Sequence, residues 1–168
     1  MKTEIEIERK YVIMMPTEEE LCASDSHTSS RITQIYLDAE NGTTHRVRRR
    51  EWESGTVYYE TVKQRIDAIS VVETEGEITE ERYLDLAANP ARGTRPIVKV
   101  RHTFSYLGQL FEVDIYPEWQ KSCILETELS SRTERAQLPD FIKVVREVTG
   151  ERAYSNHSMS HSFPPELV

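Results

Sequence analysis

The sequence predicts an α+β domain in which an antiparallel sheet of eight strands dominates. Three observations carry this. Charged and apolar residues alternate with a period of two over eight separate runs. Asn41-Gly42, Ser54-Gly55 and Leu107-Gly108 fall between successive runs as hairpin-type turns. Segments with helical spacing are few and short.

The first run, Thr3–Tyr11, sets Glu4, Glu6, Glu8 and Lys10 against Ile5, Ile7, Arg9 and Tyr11. Side chains two apart share a face, so this is a strand with one charged and one mainly apolar face. Pro16, followed by acids at 18–20, predicts a helix over 17–24, because Pro suits a first turn and acids favour a helix N-terminus. Strands follow near Ile32–Asp38, Thr44–Glu51, Val57–Lys63 and Val71–Ile78. Thr79 is a capping residue that opens a helix over 79–86, closed before Pro90. Three more strands lie near Ile97–Ser105, Leu110–Tyr116 and Cys123–Leu129. Phe141, Ile142, Val145 and Val148 recur at helical spacing, so a helix is expected over Leu138–Val148, with Gly150 as its stop. A further short helix is expected in 151–161, and two prolines make 162–168 a loose tail. With no repeat or linker, residues 1–161 read as one domain.

The 168 residues carry 29 acids against 21 bases, a net charge of −8, which opposes non-specific nucleic-acid binding. Arg46–Arg50 contains four arginines, but strand alternation splits them between faces, against a nucleic-acid patch. No apolar run approaches 18 residues and the first residues hold no apolar signal core, so neither a membrane nor a secretory route is expected. Cys22 and Cys123 are far apart with no CxxC. That excludes a disulfide framework and a four-cysteine zinc site, suits a cytoplasmic setting, and makes both inert core thiols. His157 and His161, four apart, lack a third zinc ligand and read as a solvated helix face. Trp52 and Trp119 are expected to pack at the ends of the sheet structure.

Like charges recur two apart within single strands: Glu6 and Glu8, Arg46 and Arg48, Glu73 and Glu75, Lys99 and Arg101, Glu126 and Glu128. Such pairs share a face and repel. Two architectures accommodate them. In a sandwich every charged face is wet. In a closed eight-stranded barrel the charged faces line the interior, and the helices cover apolar faces from outside. The second places six bases (Lys10, Arg46, Arg48, Lys63, Lys99, Arg101) and seven acids (Glu6, Glu8, Glu73, Glu75, Asp114, Glu126, Glu128) in one lumen. That mixture suits polyphosphate with a divalent metal: Arg and Lys hold phosphate oxygens, and carboxylates hold the ion that bridges to them. No P-loop, GxGxxG, GxSxG or HExxH is present.

At these residues the chain resembles the CYTH superfamily, the triphosphate tunnel metalloenzymes, and within it the short inorganic-triphosphatase-like members. Glu6-Ile7-Glu8-Arg9-Lys10 resembles the ExExK signature. In order follow Gln34-Ile35-Tyr36-Leu37, Arg46-Val47-Arg48, Thr61-Val62-Lys63, Glu73-Thr74-Glu75, Lys99-Val100-Arg101, Phe111 to Asp114, Glu126-Thr127-Glu128, and a C-terminal Val148-Thr149 with Tyr154-Ser155-Asn156. The match spans residues 4–160. Three departures stand out: Val71, His102 and Ala153 occupy positions where relatives often have a base, Tyr and Arg.

The resemblance implies an eight-stranded antiparallel tunnel with a polar lumen and outer helices. It further implies that Lys10, Arg46, Arg48, Lys63, Lys99 and Arg101 bind phosphates. Glu6, Glu8, Asp114, Glu126 and Glu128 would hold Mg²⁺ or Mn²⁺, and Glu73 and Glu75 would complete an acidic wall. Glu6, Glu8 and Lys10 would be the catalytic group. The activity expected is metal-dependent hydrolysis of inorganic or another small triphosphate. Alternatives are a class IV-type adenylate cyclase, a thiamine triphosphatase, or a non-catalytic polyphosphate-binding module. The small-molecule substrate is the main partner expected, with a homodimer as the other.

Overall fold

The structure, a computed structural model, describes all 168 residues. Nine strands form one sheet: β1 Lys2–Met14, β2 Asp25–Leu37, β3 Thr43–Trp52, β4 Gly55–Arg65, β5 Ser70–Ile78, β6 Ile97–Tyr106, β7 Gln109–Ile115, β8 Ser122–Glu128 and β9 Val144–Glu147. All pairings are antiparallel, in the order β5-β4-β3-β2-β6-β7-β8-β1-β9, and β5 also pairs with β1. That extra pairing closes eight strands into a barrel and leaves β9 outside it. Of the two architectures open from sequence, the barrel is the one formed. Three helices accompany it: α1 Glu18–Cys22, α2 Glu80–Ala87 and α3 Asn156–His161.

The outer face is apolar in two places. Ile13, Phe104, Phe111, Val113 and Leu125 lie under α1 (through Leu21) and under Leu138, Phe141 and Ile142. Val47 and Leu37 lie under α2 through Tyr83. Both helices are held where their N-terminal N–H groups need partners. Thr17 and Glu20 form a reciprocal capping box on α1, and the Thr79 hydroxyl accepts from Arg82 N on α2. No helix is long and apolar enough to cross a membrane.

The helix expected over 138–148 is not formed. Beyond residue 7, β1 parts from β5, which leaves its edge unpaired; β9 takes up Tyr11–Ile13 of that edge. Strand pairing satisfies backbone groups that a helix would leave open. The apolar residues here serve two cores at once: Phe141 and Ile142 outside the barrel, Val145 and Val148 in the cluster closing one barrel end. Segment 151–161 is a single 3-10 turn, Arg152–Tyr154, followed by α3. The tail expected to be loose is docked. Trp119 Nε1 donates to Pro164 O (2.9 Å), and the Glu166 carboxylate accepts from the backbone N–H groups of Gln120, Lys121 and Ser122. Cys123 is buried, with its thiol pushed by burial up to about 12, whereas Cys22 is exposed rather than a core thiol.

Candidate active site

One end of the barrel interior is apolar. Val12, Tyr36, Ile97, Tyr116 and Ile124 adjoin polar or charged residues (Lys10, Gln34, Lys99, Asp114, Glu126) on the inward faces of their strands. They pack with Val148, Tyr154, Met159 and Phe163 of the C-terminal segment. Trp119 is buried in this plug, as expected. Trp52 lies partly buried at the end of β3, beneath the Arg50 guanidinium (4.5 Å to the ring centroid). The rest of the interior is a cavity of about 770 Å³.

Nine of the chain's 21 bases and eight of its 29 acids line that cavity, so the negative excess lies elsewhere. Among the expected residues, Lys10, Arg46, Arg48, Lys63, Arg101, Glu6, Glu8, Glu73, Glu75 and Glu126 line it. Lys99 and Asp114 do not: they are sealed beneath it with side chains wholly buried, their charged atoms 2.7 Å apart. Glu128 is exposed and faces Glu8 in the β1–β8 register.

Arg101 clamps Asp114 through Nε (2.7 Å) and Nη2 (2.8 Å) and reaches Glu112 with Nη1. Burial alone would push the Asp114 carboxyl up, but Arg101 and Lys99 outweigh it and hold it far below the usual carboxylate range. With both oxygens occupied, Asp114 is a brace for two bases rather than an open metal donor. Lys99 is pushed by burial, and by Arg101 and Arg48, down to about 7. Lys10 pairs with Glu126 (3.1 Å) and donates to Tyr154 O (3.2 Å). The Glu126 carboxyl is accordingly lowered to about 2, Lys10 outweighing burial. Lys63 bridges Glu6 (3.2 Å) and Glu73 (3.0 Å) across three strands.

Two groups remain unsatisfied, one of each sign. On β3, Arg46 Nε is the one buried side-chain nitrogen or oxygen without a hydrogen-bond partner. Beside it Arg48, anchored on Gln34 Oε1 (3.0 and 2.6 Å), is pushed by burial and by Arg46 and Arg101 down to about 9. On β1, Glu8 is raised by burial and by Glu126, and Glu6 reaches about 7 through burial, despite Lys63. Tyr36, Glu73 and Glu75 outweigh burial and hold the Arg46 guanidinium above its usual range, so what an anion would relieve on this wall is the open Nε of Arg46 and the depressed Arg48, and a cation would relieve the raised Glu6 and Glu8.

Sequence reasoning missed Glu112, Arg50, Arg65 and Arg152, all of which line the cavity. Glu112 and Arg50 have the inward parity of Asp114 and Arg48, and parity alone identifies them. Arg65 stands directly across from Val71 in the β4–β5 register, so a base absent from β5 is present on its neighbour. Arg152 lies one residue before Ala153 and supplies a base there. His102 faces outward and stacks on His27 (centroids 5.2 Å, ring nitrogens 2.9 Å). His157 and His161 border the cavity instead of forming a purely solvated face; no three His, Cys, Asp or Glu side chains converge as a metal cluster.

The eight strands thus close into an antiparallel barrel, a tunnel with a charged lumen and an apolar plug at one end. Three solved structures share this fold over most of the chain. The inorganic triphosphatase NE1496 superposes with a TM-score of 0.61 at 24% identity, over 95% of this chain and 97% of that one. The PH1819 protein from Pyrococcus horikoshii OT3 gives 0.57 at 17% identity, over 76% and 80%. HpAC1 from Hippeastrum, described as having a dominant triphosphatase activity, gives 0.53 at 16%, over 74% and 80%. These likenesses are of fold. No protein-family model matches the chain, and no curated protein matches it.

Proposed function

We propose that the protein hydrolyses inorganic triphosphate, or a similarly small triphosphate, inside this tunnel with Mg²⁺ or Mn²⁺. The observation that carries the reading is a pair of incompletely satisfied groups in one cavity: Arg46 Nε without a hydrogen-bond partner, and half-buried Glu8, whose carboxyl is raised by burial and Glu126 against the pull of Lys10 and Lys63. Arg46 and Arg48 receive the phosphate chain, with Lys63, Lys10 and Arg101 in reach of the same space. Glu6 and Glu8 fit a hard divalent ion, and Glu128 borders them. Mg²⁺ is commonly held by one or two carboxylates, its shell completed by phosphate oxygens and water, so a cage of three is not required. When bound, the ion supplies charge neutralisation on the phosphoryl oxygens. The protein's own contribution is positional: arginines fixed by Gln34 and Asp114 stabilise charge that develops on the leaving pyrophosphate.

The experiment is phosphate release by the purified protein from inorganic triphosphate, ATP and thiamine triphosphate, each with Mg²⁺ or Mn²⁺. Release from inorganic triphosphate, abolished by Lys10→Ala and by chelation, is expected. Cyclic AMP from ATP would replace the reading with a cyclase. Tight triphosphate binding without turnover would replace it with a binding module.

A further inference from the structure

A triphosphate and its ion fill only part of the cavity. At about 770 Å³ the space is of a size that holds a drug-sized ligand. Beside the plug its lining passes from the strands to the β2–β3 hairpin, the loop after α2 and α3. These pieces are tied together. Ala91 N donates to Tyr36 O (2.8 Å), and Arg95 N donates to Ser160 O (2.8 Å). From below, the Tyr116 hydroxyl donates to Asn156 Oδ1 (2.8 Å), and Lys99 Nζ reaches the same oxygen (3.5 Å). So anchored, α3 sets His157 and His161, one turn apart, on the border of the cavity.

A line of basic groups runs outward from Arg46. Tyr36 stands across from Arg46 in the β2–β3 register. The His157 ring packs edge-on against Tyr36 (centroids 5.2 Å), and the His161 ring against His157 (5.3 Å). An added Cβ on Gly93 would stand 3.5 Å from His161 Nδ1, which brings the neighbouring Arg92 to the end of the line. Arg152 flanks it: burial, His161 and Arg152 together hold the His157 imidazole below its usual range. Lys10, Lys63 and Arg101, deeper in, are all in ion pairs, whereas Arg92, Arg152, His157 and His161 are in none. Arg65 also lines this region, its Nη1 donating to Asp67 O and Ala68 O. The acids here are Asp38 and Glu40, exposed on the hairpin and outnumbered. A nucleoside would find little to stack on. Tyr36 is the one Phe, Tyr or Trp in the lining, and it is 3% exposed with His157 against its ring.

We propose that Arg92, Arg152, His157 and His161 form an outer phosphate subsite, so that the tunnel takes inorganic polyphosphates longer than triphosphate. The proposal rests on the triphosphatase reading. The inner phosphates lie on Arg46 and Arg48, and the fourth and later ones lie along α3. There the two guanidinium groups give charge-assisted hydrogen bonds to phosphate oxygens, and each imidazole offers an N–H. Asp38 and Glu40 remain in solvent, where salt screens them. These four residues decide chain length, not the reaction.

The test compares inorganic triphosphate with inorganic pentaphosphate, by phosphate release with Mn²⁺ and by calorimetry on metal-free protein. For wild type, KM and Kd for pentaphosphate are expected to be about tenfold below those for triphosphate. In the double variant Arg92→Gln/His161→Gln, at two exposed positions, the ratio is expected to fall to within a factor of about two. Wild type that hydrolyses triphosphate but shows no chain-length preference overturns the subsite and leaves the triphosphatase reading standing. A preference kept by the double variant does the same. Wild type that hydrolyses neither chain overturns the triphosphatase reading, while a calorimetric preference lost in the double variant still supports the subsite. ATP is the third ligand. If the double variant weakens ATP as much as pentaphosphate, a nucleoside occupies the rim and the phosphate subsite is overturned.

Discussion

Asp114→Asn separates a brace from a metal ligand. The Asp114 side chain is wholly buried and accepts from Lys99 Nζ at 2.7 Å and from Arg101 at 2.7 and 2.8 Å. Asparagine keeps the shape but removes the charge, and its amide nitrogen meets a cation where an oxygen stood. Breaking a buried ion pair from one side costs about 3–5 kcal/mol, because the partner charge stays buried and unpaired. At about 2–4 °C per kcal/mol for a chain of this size, the melting midpoint should fall on the order of 10 °C. The sign with pH follows from the depressed carboxyl. Asp114 contributes stability that is present above its unfolded pKa, about 3.9, and is lost as pH falls toward the folded value. The gap between wild type and Asp114→Asn should therefore be full at pH 7 and narrow below pH about 4. Urea denaturation across pH 3–8 measures it. A variant within about 1 kcal/mol of wild type at pH 7 refutes the brace. So does a normal melt accompanied by loss of Mn²⁺ binding, which would restore Asp114 to the metal set.

Arg46→Gln should weaken triphosphate binding to metal-free protein by roughly ten- to a hundredfold, the worth of a charge-assisted hydrogen bond, measured by calorimetry. Affinity within a factor of about two of wild type would show that Arg46 Nε meets no phosphate. Glu166→Gln should leave the barrel folded but loosen the C-terminal plug, seen as faster amide exchange at Gln120–Ser122, whose N–H groups the carboxylate now accepts. Unchanged exchange there would mean that Trp119 and Phe163 alone hold the tail.

The strands were legible because a barrel wall has two distinct faces, and alternation reports both. Lys63, Glu73 and Glu75 could be assigned inward before any pairing was known, and Lys63 does bridge Glu6 and Glu73. Residues 138–148 misled because their apolar residues serve two cores on opposite sides of the wall. That division mimics helical spacing, and the unpaired edge of β1 that recruits β9 is a tertiary fact. Depth was equally hidden. Parity gives Lys99 and Asp114 the same face as Arg101 and Glu112, but only the plug beneath them seals the first pair off from the cavity. Proline in 162–168 suggested looseness, and nothing local announces that Glu166 meets three N–H groups more than forty residues away.

The acidic balance of the chain and an anionic substrate are compatible because charge is sorted by depth. Phosphate affinity depends on cations that are desolvated and poorly compensated, whereas solvated acids outside are screened within about 10 Å in ordinary salt. The lumen meets that condition at β3, where Arg46 Nε lacks a hydrogen-bond partner and Arg48 is depressed by burial and by its basic neighbours. It meets the opposite one at β1, where Glu6 and Glu8 crowd each other. Each wall is made less stable by its own like charges, and the tunnel tolerates this because Lys63, Lys10 and the buried Lys99–Asp114–Arg101 unit tie neighbouring strands together. A ligand carrying both signs, a polyphosphate with its divalent ion, is the chemistry that neutralises both walls at once. Phosphate without the ion would relieve β3 while adding negative charge near β1, so the two should bind with positive cooperativity.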